Sequence, residues 1–279
     1  MISQPLVRTK HAPAAAEAAA ERAPRRPALS AGTLRLVCIV LLLAFWELAP
    51  RLGWVPEVML APLSSTLVAG FDNGPMFALN LASTVAEMAA ALAIVFVVGG
   101  ACGLLLGSVA ALRDTLLPLA SSLYAVPLVI LYPLLTAWIG IGMESKIVFG
   151  AVYGFFPMLL ATAAGVRTVD RQLLVAARSM GARRMQLVRH VMLPAAVPSV
   201  LSGMRLGSAM TAIGVVVAEM MAATSGIGFV ITQNRTLFNT PNVYFGVLLV
   251  LVLAVALDQL VNFLQRIASR RYPQPENKS

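Results

Sequence analysis

Charge is what this sequence of 279 residues has least of: 12% of it is Asp, Glu, Lys or Arg, against 59% apolar residues, and its mean hydropathy is +0.83. An ordinary soluble domain carries about 25% charged and about 45–50% apolar residues. Too little polar surface remains to wet a globule of this size, which excludes a soluble enzyme as the default reading. Cysteine is scarce as well: Cys38 and Cys102 both lie in long apolar runs, leaving neither a disulfide framework nor a CxxC metal site. The two histidines, His11 and His190, are far apart in sequence and offer no metal site. The sequence lacks a GxxxxGK(S/T) phosphate loop, so it cannot cradle ATP by that route, and it lacks the HExxH and GxSxG motifs of membrane-embedded hydrolases. Glycine (20) and proline (17) are near ordinary levels and follow no period, which removes the disordered and fibrous classes. The remaining class is a polytopic membrane protein.

A helix needs about 20 predominantly apolar residues to cross the hydrocarbon core. Six segments meet that length or approach it: 33–50, 81–108, 116–139, 147–166, 196–222 and 243–265. Each is apolar all round rather than alternating, which favours helix over barrel strand. The fold class is therefore an all-α membrane protein with six transmembrane helices over 33–268, between a basic, disordered tail (1–32) and a C-terminal tail (269–279). The first segment reads as an uncleaved anchor, because it is long, carries Glu47, and runs into Pro50-Arg51 rather than a small-residue cleavage site. A short interfacial helix is expected near Pro62 to Phe71, followed by a turn at Asn73-Gly74-Pro75. Glycines 99, 100, 103 and 107, then 203, 207 and 214, mark faces where helices approach closely.

The net charge of +9 could point to nucleic acid, but the basic residues fall between the spans. With the N-terminus inside, 17 Lys and Arg lie on the inner side, three (Arg51, Lys146 and Arg235) on the outer side, and Arg205 within a span. This asymmetry places both termini in the cytoplasm and makes the lipid bilayer, not nucleic acid, the partner of the basic residues.

The inner loop 167–195 is the most informative stretch. Asp170 is a candidate helix cap and Gly181 a candidate stop where positive φ is needed, so two short helices meet at an elbow, the second running from Ala182 and ending near Pro194. Small residues at Ala176-Ala177 ringed by arginines suit docking into another protein's groove; an ordinary basic loop lying on anionic headgroups remains equally open at this point.

The loop resembles the signature of binding-protein-dependent ABC importer permeases: Glu-Ala-Ala, three residues, Gly, nine residues, then Ile-x-Leu-Pro. Ala176, Ala177, Gly181, Val191, Leu193 and Pro194 fall in register, with Val175 in place of the Glu. The resemblance covers about residues 56–272. It extends to the branch serving nitrate, sulfonates, taurine and thiamine-precursor pyrimidines through Pro127 and Pro133, Trp138 to Ile147, Phe156-Pro157, Gly203-Met204-Arg205, Ala218-Glu219 and Gly226-Ile227-Gly228. It implies a type I importer fold and a homodimer in the bacterial inner membrane. It also implies a cytoplasmic ATPase dimer holding Mg-ATP, and a periplasmic or lipid-anchored solute-binding protein. The residues it assigns to ATPase coupling are Val175, Ala176, Ala177, Arg178, Met180, Gly181 and Ala182, with Leu193 and Pro194 as the motif end. The chain itself would be a transport subunit, not an enzyme, with no cofactor of its own.

Ionisable groups within spans are costly and mark function or helix pairing. Arg205 and Asp258 sit at matched depth from the inner side, which predicts an ion pair between spans 5 and 6. Glu219, Tyr132 and Tyr124 are the candidates for lining a translocation path; capping or interhelical packing competes for Glu219 and core packing for the tyrosines. Glu47 and Glu87 read as packing groups and Lys146 as an anchor at the outer end of span 4. A proton-coupled secondary transporter built on Glu219 or Asp258 is the competing class. As to substrate, a sulfonate or other small organic acid leads, with a heterocyclic vitamin precursor second.

Overall fold

The structure, a computed structural model, describes residues 31–271 except 168 and 170; side chains are described for 32–267 apart from 168, 170, 171 and 184. The expected tails 1–32 and 269–279 and the Asp170 cap therefore lie wholly or largely outside the described residues. The described residues are helical throughout their regular elements: α1 (Ala31–Arg51), α2 (Leu63–Asp72), α3 (Gly74–Ile94), α4 (Gly100–Ser108), α5 (Ala110–Tyr124), α6 (Leu131–Ile139), α7 (Met143–Arg167), α8 (Arg171–Ser179), α9 (Arg184–Leu187), α10 (Leu193–Met221), α11 (Ile227–Thr236) and α12 (Thr240–Arg271). One turn of π-helix, Val95–Gly99, joins α3 to α4, and another, Val188–Met192, joins α9 to α10.

Among the described residues, five continuous helices are long and apolar enough to cross a membrane: Gly32–Arg51, Gly74–Ser108, Met143–Arg167, Met185–Met221 and Thr240–Ile267. The third expected span is not one helix. It breaks into α5 and a second arm, Leu128–Ile139, bent by 77°. Pro127 is the cause: it has no N–H to donate and pushes the preceding residue out of the helical region, and it stands at φ −61, ψ 96 before a short 3-10 turn. Pro133 breaks nothing, because it falls in the first turn of α6, where backbone N–H groups have no helical partner anyway.

Buried fraction sorts the spans. Half of the α7 window (50%) is covered by protein, against 6% for α1 and for α12, so α7 is the centre and the outer two are left almost uncovered by the rest of the chain. Small residues let α7 hold that place. A Cβ on Gly103 would stand 2.7 Å from the Leu159 carbonyl, and one on Gly107 2.7 Å from Val166 Cβ, so α4 lies directly on α7. On the other side, a Cβ on Gly154 would meet the Gly207 carbonyl at 2.8 Å and run into Thr211, and one on Gly214 would meet the Gly150 backbone at 3.0 Å. Where lipid supplies no hydrophobic drive between helices, such backbone-to-backbone approach is what associates them. Around this seam Met88, Ala91, Val95, Met158 and Val215 form the main apolar core.

The short helix expected near Pro62 to Phe71 is α2, and the Asn73-Gly74-Pro75 turn is the corner from which α3 starts with proline in its first turn. The α2 helix rests on the beginning of α12, where Gly70 accommodates the Phe245 ring. The isolated α1 is tied at its C-terminal end by Trp46 Nε1 donating to Ala61 O (3.0 Å) and by Glu47 accepting from Ser64 N (2.9 Å) and Ser64 Oγ (2.8 Å).

Candidate functional site

Three places carry the polar chemistry of this apolar fold: the elbow between α8 and α9, an ion pair between α10 and α12, and a buried polar knot around α11.

The elbow is closed by a pair of reversed hydrogen bonds. Ala182 N donates to Ala177 O (3.1 Å) and Gly181 N donates to Arg178 O (2.9 Å), while Gly181 stands at φ +80. This is the Schellman termination of a helix, which requires a residue in the left-handed region four positions after the carbonyl that takes the outer bond. The Ala177-to-Gly181 spacing thus has a backbone cause. The next helix begins with Gln186 Oε1 accepting from Arg183 N (2.8 Å), half of a capping box. The expectation that this second helix ends near Pro194 is corrected. It runs through the Val188–Met192 π-turn into α10, with Leu193 and Pro194 as its first residues. The wider turn relieves the position where proline has no N–H, so the chain is deflected rather than stopped.

Around the elbow, Leu173, Val175, Met180 and Met185 are all more than half exposed, with Met180 at 87%. Ala177, Met180, Gly181, Ala182, Gln186 and His190 border a shallow hollow of about 430 Å³. Val175 projects an apolar side chain where a carboxylate would place a charge, and Arg178 is exposed beside it.

Arg205 and Asp258 are brought together: Arg205 Nε donates to Asp258 Oδ1 at 2.9 Å and Arg205 Nη2 to Oδ2 at 3.4 Å. Asn262 Nδ2 also donates to Asp258 Oδ2 (2.8 Å), and the Gln265 amide reaches the Leu201 carbonyl. Positions 258, 262 and 265 form a polar stripe at helical spacing, a signal present in the sequence but outside the expectations drawn from it. The pair stands at one end of an apolar cleft of about 370 Å³ between α10 and α12, walled by Ala212, Val216, Leu253 and Leu257 and floored by Met88.

The knot joins three spans, α3, α7 and α10, to the short helix α11. Lys146 Nζ is ion-paired with Glu87 and donates to Ser225 O (3.1 Å) and Ser225 Oγ (3.2 Å). Lys146 is therefore not an outer anchor: its side chain is 2% exposed, because α7 begins at Met143 and its first turn directs the lysine inward against α3. Next to this pair, the three leading N–H groups of α11 are capped from other helices. Gly226 N donates to Asn80 Oδ1 (2.8 Å), Ile227 N to Thr84 Oγ1 (2.9 Å) and Gly228 N to Glu219 Oε2 (2.8 Å). Thr84 Oγ1 donates in turn to Glu219 Oε1 (2.7 Å).

Two of the path candidates are absorbed by packing in this structure. Glu219 is 1% exposed and used as a helix cap. Tyr132 is equally buried against Phe149 and Ala218, with its hydroxyl donating to Ala222 O (2.8 Å). Neither lines an open cavity here, because the α10–α11 connection folds back over both. Tyr124 is half-buried beside Phe156, at 6.0 Å between ring centroids. Among the described residues no group of three or more His, Cys, Asp and Glu is placed to hold a metal.

The family described as binding-protein-dependent transport system inner membrane component matches residues 97–273. The chain is 32% identical over 244 residues to the riboflavin transport system permease protein RibX of Chloroflexus aurantiacus, covering 84% of this chain and 88% of that protein. It is 32% identical over 249 residues to the taurine transport system permease protein TauC of Escherichia coli, covering 87% and 89%. It is 31% identical over 239 residues to the putative aliphatic sulfonates transport permease protein SsuC of Bacillus subtilis, covering 83% and 84%. Among solved structures, an inward-facing form of the MetNI methionine ABC transporter superposes with a TM-score of 0.62 at 22% identity, over 70% of this chain and 98% of that one. These likenesses favour an ATP-driven importer over a proton-coupled carrier.

Proposed function

We propose, starting from the premise that this chain belongs to the binding-protein-dependent transport system inner membrane components, that its α8–α9 elbow is the contact through which an ATPase dimer drives transport. The chain is a permease subunit of an ABC importer in the inner membrane, and ATP hydrolysis takes place on a separate subunit. The observation that carries the reading is the Schellman elbow. It fixes Ala176 and Ala177 at a rigid bend and leaves Val175, Met180 and Met185 uncovered around it. A bend with small residues at its apex and apolar side chains at its rim fits a groove, and its closed backbone transmits a push instead of flexing.

In this reading both termini are cytoplasmic, which the excess of Lys and Arg on that side supports. Two copies of the chain form the pathway. The partner ATPase subunits bind Mg-ATP and close, drawing the two elbows together, and the paired bundles open outward to take solute from an external binding protein. Hydrolysis then restores the inward-open state. The continuous helix from Arg184 through the π-turn to Met221 supplies the lever, since a displacement at the elbow moves α10 as one body. The substrate proposed is a sulfonate or other small organic acid, supported by the likeness to the taurine and aliphatic sulfonate permeases. A heterocyclic vitamin is the second reading, supported by the likeness to the riboflavin permease.

The test is co-purification of the tagged chain from native membranes with an ATPase assay on the eluate. A nucleotide-binding subunit that co-elutes with wild type and is lost with Gly181→Trp supports the proposal. A chain that purifies alone and moves solute under a proton gradient overturns it.

A further inference from the structure

Two carboxyl groups and one ammonium share the buried knot, and their hydrogen bonds do not balance without an additional proton. Glu87, Glu219 and Lys146 are 1%, 1% and 2% exposed. Glu219 accepts at both oxygens, from the Thr84 hydroxyl and from Gly228 N–H, as a carboxylate at a helix N-terminus does. Glu87 Oε1 takes the Lys146 ammonium, but Glu87 Oε2 is buried without any donor. Thr84 and Glu87 are one turn apart on the same face of α3, and the Glu87 carboxyl lies in side-chain hydrogen-bond contact with the Glu219 carboxyl that Thr84 holds.

With both carboxylates bare, the knot would hold a net negative charge out of contact with water and an acceptor with nothing to accept. Either defect is destabilising in a low-dielectric interior, where neither water nor a counter-charge compensates it. The other groups facing the knot do not remove the defect. The Tyr132 hydroxyl from α6 is committed to Ala222 O, the Ser145 hydroxyl on α7 to Gly142 O, and the Lys146 ammonium is already shared with Ser225.

We infer that the Glu87–Glu219 pair is a proton-binding site: one proton is shared between Glu87 Oε2 and the Glu219 carboxyl, completing the chain Lys146–Glu87–Glu219–Gly228. The proton brings the charge of the three groups to zero and supplies the missing donor. It thereby latches the N-terminus of α11 to α3, α7 and α10. The proton belongs to the pair and is held structurally, independent of what drives transport.

Infrared spectroscopy of the purified full-length chain in lipid nanodiscs at neutral pH tests this. The expected result is a C=O stretch of a protonated carboxylic acid that exchanges slowly in heavy water. It is absent from both Glu87→Gln and Glu219→Gln and unchanged in Asp258→Asn. No such band in the wild type, or a band that survives either glutamate substitution, overturns the inference. A second readout covers folding. Glu87→Gln presents an amide N–H where the acid O–H stood, so its melting temperature stays within a degree or so of wild type while Glu87→Ala melts lower. If Glu87→Gln does not fold, the neutral donor at position 87 is wrong and the inference fails.

Discussion

Glu219 Oε2 accepts the backbone N–H of Gly228 at 2.8 Å, nine residues on and across a reversal of the chain. This bond makes the α10–α11 connection a structural part of the bundle. Gly226, the residue just before α11, stands at φ +107 with the Glu219 carboxylate directly where a Cβ would project.

Gly226→Ala is therefore expected to destabilise by about 2–4 kcal/mol, combining backbone strain with displacement of the cap. Gly74→Ala, where a Cβ meets nothing within 4 Å, serves as the control and stays within about 0.5 kcal/mol. Unfolding of both variants in detergent, followed by circular dichroism, checks the difference. Equal effects would remove the cap from the account.

Lys146→Ala leaves two acids buried at 1% exposure beside an empty cation position. Breaking one side of a buried pair costs about 3–5 kcal/mol. The substitution should lower expression and melting temperature together, more than Arg51→Ala, whose partner Glu47 is 27% exposed. Thermal melts of the two variants side by side decide this.

The Arg205–Asp258 pair is a different case. Its side chains are 56% and 40% uncovered by this chain within two spans, and polar contacts between membrane helices couple by about 0.6 kcal/mol on average, so its coupling is expected at about 0.5–1 kcal/mol. A double-mutant cycle with Arg205→Ala and Asp258→Ala reads the coupling directly. The double variant should be closer to wild type than the two single losses added together. Strict additivity would mean that the contact orients no helix.

At the elbow, Ala177→Trp should leave the melting temperature unchanged and reduce solute-stimulated ATPase of the assembled transporter by about an order of magnitude, the effect of about 1.4 kcal/mol of lost contact. The Ala177 carbonyl keeps its bond to Ala182 N, since the backbone is untouched. Unimpaired stimulation in the tryptophan variant would move the coupling contact elsewhere.

Gly154 faces the Gly207 carbonyl and Thr211, so Gly154→Val forces α7 and α10 apart at the centre of the fold. The expected loss is about 3 kcal/mol or failure to accumulate in the membrane, the usual result of overpacking a tight seam. Gly53→Val, on the surface with no neighbour within 4 Å, shows how much comes from glycine replacement alone at a positive φ of 73. A smaller loss at Gly154 than at Gly53 would contradict the seam.

The sequence by itself determined the membrane class, the five continuous spans and the elbow, for a shared reason: each depends on neighbours along the chain. Hydropathy over about 20 residues counts the spans. The Ala177-to-Gly181 spacing encodes a helix termination whose bonds are local. Even the Arg205–Asp258 contact was accessible, because depth in a bilayer can be counted from span ends. What only the tertiary structure decided is direction around each helix axis and continuity between helices. A hydropathy window carries no azimuth, so Lys146 read as an anchor, although its side chain turns inward to Glu87. The same limit made Tyr132 and Glu219 path candidates, although both are sealed under the α10–α11 connection. Proline identity alone did not tell a break at Pro127 from the uninterrupted passage through Pro194. That depends on whether the missing N–H falls in a tight turn or beside a π-turn, which only the assembled backbone settles.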